Sequence, residues 1–212
     1  MIVSLLAFVA AAVALFLSSR ALMHRLIRLL PLDLLFFLLL PGTLLHELSH
    51  LFTAEILQVP TGELSLRPHL DDDQIKLGSA QVGMTDPIRL TLIGTAPFVT
   101  GTLVLWLILV VGLGLDLAHL ALPAFNYWHI LFYYLIFAIA NTMFSSPSDL
   151  QAAALPIVLL LIVLGLFQLT NLNLPISLTD LSTNLFWLLA VIFSLVLVLN
   201  LLLLLPLRLF RR

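Results

Sequence analysis

The sequence predicts an all-α polytopic membrane protein of about six transmembrane helices, with a small β-hairpin or re-entrant loop between the second and third. Three observations predict it. Of the 212 residues, 62% are hydrophobic and only 9% charged, far from the balance of a water-soluble domain. Apolar windows of about 20 residues, the length that crosses a ~30 Å hydrocarbon core, recur along the chain. Between the second and third windows lies the one long polar stretch, TGELSLRPHLDDDQIKLGSAQVG.

Taken in order, the spans fall at 2–19, 32–57, 88–114, 127–145, 150–168 and 184–206. The first, MIVSLLAFVAAAVALFLSS, lacks a basic n-region and exceeds a usual signal-peptide core, so it reads as a span rather than a cleaved leader. In the polar stretch, ELSLRPHL and QIKLGSAQV flank an acidic DDD turn, and Leu64 and Leu66 alternate with polar neighbours as in a strand. Pro60, Gly62, Gly78 and Gly83 mark bends around it. The fourth span stops before Pro147, and the next helix begins near Asp149. No repeat, low-complexity tract or separate soluble unit is visible, so residues 1–212 read as a single membrane-embedded domain with core helices at about 32–168. With six spans both termini share one side. Arg67, Lys76, Arg89, Arg208, Arg211 and Arg212 then outnumber Arg20, Arg25 and Arg28 opposite, which places the termini and the hairpin in the cytoplasm.

Chemistry concentrates in PGTLLHELSHLF, residues 41–52. His46 and His50 are four apart, so on a helix both imidazoles project from one face toward a common point, with Glu47 beside them. In the pattern H-E-x-x-H two histidines bind zinc and the glutamate activates the attacking water. Ionisable groups within a span are costly unless paired or coordinated, so the cluster points to function. The chain has no cysteine, which leaves His, Asp and Glu as metal ligands. A catalytic zinc takes three protein ligands. Asp149 is the best third ligand, although the start of a helix also suits it as an N-cap. A zinc peptidase of different build would use Glu63, thirteen residues after His50. Neither a basic cluster nor a Gly-rich phosphate loop is present, so no nucleic-acid partner is expected.

With these residues in view, the chain resembles the site-2 protease (M50) family of intramembrane zinc metalloproteases in its six-span version. The resemblance rests on His46-Glu47-x-x-His50, on Asn141 standing eight residues before Asp149, and on IGTAPFVTG with Gly94 and Pro97 on the intervening helix. Leu150 stands where the family has Gly, Pro147 is displaced along the motif, and Gly94 and Pro97 are not adjacent. The resemblance implies Zn2+ held by His46, His50 and Asp149, with Glu47 as general base and then acid. It implies Asn141 as a donor to substrate backbone or to developing charge; an interhelical hydrogen bond is the other role open to that amide. It also implies a membrane-protein substrate with a transmembrane helix, and an integral multi-pass protein of a prokaryotic cell membrane with its site toward the cytoplasm. The competing class is a divalent-metal transporter or metal-sensing membrane protein that uses the same histidines without hydrolysis. Transport pathways draw polar residues from several helices, and these spans are poor in them. Substrate identity and oligomeric state are not written in the sequence.

Overall fold

Helix is the default for this chain because a backbone in hydrocarbon must satisfy its own hydrogen bonds. The computed structural model describes residues 2–66, 69–71, 74–76, 78–116, 119, 121, 124–144, 162 and 176–209. Among them α1 spans Ile2–Leu29, α2 Leu32–Ile56, α3 Pro87–Leu107 with a π-helical continuation Ile108–Gly112, α4 Trp128–Thr142 and α5 Ile176–Leu209. Four segments among the described residues are long and apolar enough to cross a membrane: Val3–Leu29, Leu32–Ile56, Pro87–Gly112 and Asp180–Leu207. They are compatible with a multi-pass membrane protein. Helix α4 has 15 residues, about 22 Å of helix, and falls short of a full crossing. The expected span at 150–168 lies outside the described residues, apart from a helical Ile162, so the count of six is not established.

α1 runs ten residues past its expected end at 19, through Arg20, Arg25 and Arg28. A hydropathy window stops at the first charge, but arginine is a good helix former and the backbone continues. The Arg20 guanidinium lies 5.4 Å from the Phe16 ring centroid. With 28 residues the helix is about 42 Å long, enough to carry its basic end out of the hydrocarbon.

Local chemistry sets the other boundaries. Pro31 precedes α2. The C-terminus of α2 closes with Gln58 N–H on the Glu55 carbonyl (3.0 Å) and Val59 N–H on the Ala54 carbonyl (2.8 Å), with Gln58 at φ 57°. That is a Schellman cap, and its apolar pair, Ala54 and Val59, is buried with Ile93 while Val82 packs against them. At the start of α3 the Asp86 carboxylate accepts from the Ile88 and Arg89 amides, and Pro87 occupies the first helical position.

Between α2 and α3 the polar stretch folds as a hairpin, as its alternation predicts. β1 (Thr61–Ser65) pairs antiparallel with β4 (Ser79–Val82) in the register Leu64↔Ala80 and Ser65↔Ser79, with an irregularity between Thr61 and Leu64. β2 (His69–Asp71) pairs with β3 (Gln74–Lys76) at the tip, Asp71 opposite Gln74.

Helix packing divides the molecule. α1 lies mainly against α5, whereas α2 packs against α3 and α4 and receives the β1–β4 sheet. Leu15 of α1, Leu105 and Leu109, Ile136 and Ile139 of α4, and Phe193 and Val196 of α5 share the principal core. Lipid offers no hydrophobic drive between helices, so close packing and polar contacts hold them together. Gly42 provides such closeness: a Cβ there would overlap the Ala138 carbonyl and the Thr142 hydroxyl of α4.

Candidate metal centre

Thr43, His46, Glu47 and His50 follow the i, i+3, i+4, i+7 spacing of a single helix face. In α2 this face turns inward, leaving the four residues 3%, 4%, 7% and 8% exposed. Such a polar stripe in an apolar helix requires compensation.

The imidazoles supply much of it. His46 Nε2 and His50 Nε2 converge to 3.2 Å, with the rings 4.9 Å apart and inclined at 80°. His50 Nδ1 lies 2.9 Å from the Ile93 carbonyl oxygen on α3. A carbonyl only accepts, so Nδ1 carries the proton, and in the neutral form of the ring the lone pair of Nε2 faces His46, which then donates across the gap when no metal is bound. With zinc, two nitrogens held about 2.0–2.1 Å from a tetrahedral ion stand about 3.3 Å apart. The observed separation fits that edge, and a ring whose other N–H is held by a backbone carbonyl is the usual support of a metal-binding histidine. His46, Glu47 and His50 each make further interactions besides these. One turn along, the Ser49 and Thr100 hydroxyls meet at 2.5 Å and tie α2 to α3.

Glu47 lies under the hairpin. A Cβ on Gly78, just before β4, would come within 3.1 Å of Glu47 Cγ and Thr43 Cγ2 and 3.2 Å of Glu47 Oε1, so any larger residue at 78 would have to push the Glu47 side chain aside by a few tenths of an ångström. Glu47 is nine residues from the end of α2, about 13 Å along the axis. Of the two forms expected of the polar stretch, the hairpin is the one seen, and it lies against α2 beside Glu47. Non-helical backbone at such depth is tolerated only when covered by protein or beside a polar cavity. Thr43 Oγ1 is buried and has no hydrogen-bond partner among the described residues.

The remaining predicted residues fare differently. Asp149 lies outside the described residues. Asn141 sits on α4, 6% exposed; its Nδ2 donates to the Phe137 carbonyl (2.8 Å) and to Asn200 Oδ1 (3.0 Å), and its Oδ1 accepts from Asn200 Nδ2 (3.2 Å). Both amide protons are thus used, in the interhelical arrangement that was the alternative to a catalytic one. Asn200 also donates to Ser19 Oγ (3.2 Å), whose own proton goes to the Ala140 carbonyl (3.3 Å). Glu63 is exposed on β1. Among the described residues no group of three or more His, Asp or Glu is arranged to hold a metal.

Sequence reasoning passed over Thr43, the Ile93 carbonyl and Asn200. Only Asn200 left a plain signal, as the lone polar residue in LVLVLNLLLLL. No protein-family model, curated protein or solved structure matches this chain.

Proposed function

We propose that the chain is an intramembrane zinc endopeptidase of the site-2 protease type, which hydrolyses peptide bonds within or near transmembrane segments of membrane proteins. The observation that carries the reading is the approach of two buried imidazole Nε2 atoms to 3.2 Å on the helix face that also bears Glu47, one ring fixed through its other nitrogen. His46 and His50 would hold zinc, and the reading takes Asp149 as the third ligand. When bound, zinc supplies Lewis acidity to the scissile carbonyl and the attacking water.

Glu47 does the proton work. Its carboxylate takes one proton as the water oxygen bonds to the carbonyl carbon, then delivers it to the amide nitrogen as the C–N bond breaks. Burial of the cluster limits bulk water to what the reaction needs. Asn141, with both amide protons engaged by Phe137 and Asn200, serves in this reading as an anchor between helices.

A helical substrate shields its peptide bonds in its own hydrogen bonds, so it must unwind before attack. The β1–β4 sheet, with Gly78 against Glu47, suits reception of the unwound strand by edge pairing. The distribution of basic residues favours a cytoplasmic site. The test is zinc per chain together with cleavage of a panel of transmembrane peptides, in wild type and Glu47→Gln. Turnover that survives Glu47→Gln would reject the peptidase.

A further inference from the structure

We infer that Pro97 is a positioning residue for His50. In a regular helix the N–H of residue i+4 bonds to the carbonyl of residue i, so the donor owed to Ile93 should come from residue 97. That residue is proline, buried inside the 21-residue helix α3, and it has no N–H to give. A carbonyl stripped of its helical donor within a span needs another partner. Ile93 is 3% exposed, and its oxygen accepts the His50 Nδ1 proton at 2.9 Å.

The two facts form a chain of cause. Pro97 leaves an acceptor on the face of α3 that meets α2. That acceptor commits the Nδ1 proton of His50. The Nε2 lone pair is thereby directed toward His46, 3.2 Å away. A helix-breaking residue in the middle of α3, costly in itself, here sets the tautomer and aim of one ring. The inference rests on reading His46 and His50 as zinc ligands, but the tautomer can be read without any metal.

Pro97→Ala restores an N–H that competes for the Ile93 carbonyl. Three measurements on the purified full chain decide the matter: imidazole 15N shifts of His50 in metal-free protein, Zn2+ affinity by chelator competition, and the metal-free melting temperature. Pro206→Ala, the same exchange inside α5, is the control. In Pro97→Ala the Nε2–H tautomer of His50 should appear and zinc affinity should fall about 10–100-fold, the usual consequence of losing a ligand's outer hydrogen bond. The metal-free melting temperature should hold or rise, and Pro206→Ala should keep both the tautomer and the affinity. A wild-type tautomer and affinity in Pro97→Ala would overturn the inference. So would a fall in metal-free melting temperature that accompanies the lost affinity, because general loosening would then account for it. A wild type that binds no zinc would strike the ligand assignment instead, while the 15N comparison would still decide the role of Pro97.

Discussion

Thr43 departs from the habit of its neighbours. Thr95, Thr102 and Thr142 each donate to the carbonyl four residues back, which is how a hydroxyl is satisfied inside an apolar helix. Thr43 Oγ1 does not, although its side chain is buried beside Glu47. A buried hydroxyl without a partner costs roughly 1–3 kcal/mol. The isosteric Thr43→Val should therefore raise the melting temperature, by about 2–4 °C per kcal/mol in a chain of this size. A melt in detergent showing a decrease would mean that the hydroxyl is satisfied after all. At this scale the sequence was legible where chemistry is local. The spacing of His46, Glu47 and His50 places them on one face whatever the rest of the chain does. The identity of His50's acceptor was not legible, because the Ile93 carbonyl is 43 residues away and belongs to the backbone, which every residue shares.

Boundaries and turns govern the elements. The hairpin was readable from its alternating arms and acidic turn, while the end of α1 was misplaced because charge was taken as a stop signal for a helix that has none there. The cap of α2 uses Gln58 at φ 57°, a left-handed backbone that costs a non-glycine residue roughly 1 kcal/mol. Gln58→Gly should stabilise the chain by about that amount, since the residue is exposed and its side chain is not needed for the cap; an unchanged or lower melting temperature would show that Gln58 contributes otherwise. The role given to the sheet is tested by placing proline at successive positions of β4, Ser79 to Val82. N–H groups alternate between the partner strand and the outer edge. Cleavage should fail at the edge-facing positions with zinc content unchanged, and turnover unaltered at every position would exclude edge pairing.

At the scale of the molecule, the α1–α5 pair joins the α2–α3–α4 group partly through a buried polar knot: Asn141 and Asn200 exchange amide hydrogen bonds, and Ser19 accepts from Asn200. Hydrogen bonds between membrane helices contribute about 0.6–2 kcal/mol each. Asn200→Leu should lower stability by at least that amount, since it loses two bonds to Asn141 and one to Ser19, and Asn141→Leu combined with it should add little, since the two bonds between the amides are already gone. Additive losses would mean that the two amides act separately. No helix-by-helix reading finds this knot, because its members lie 59 and 181 residues apart and only the assembled bundle brings them together. The central claim, that a metal-activated water is delivered by α2 into an apolar bundle, has a direct test in zinc content and peptide cleavage measured side by side for wild type and Glu47→Gln. The expected result is one zinc per chain in both proteins, with cleavage of a transmembrane peptide by the wild type alone. Wild-type protein that binds no zinc would contradict the account.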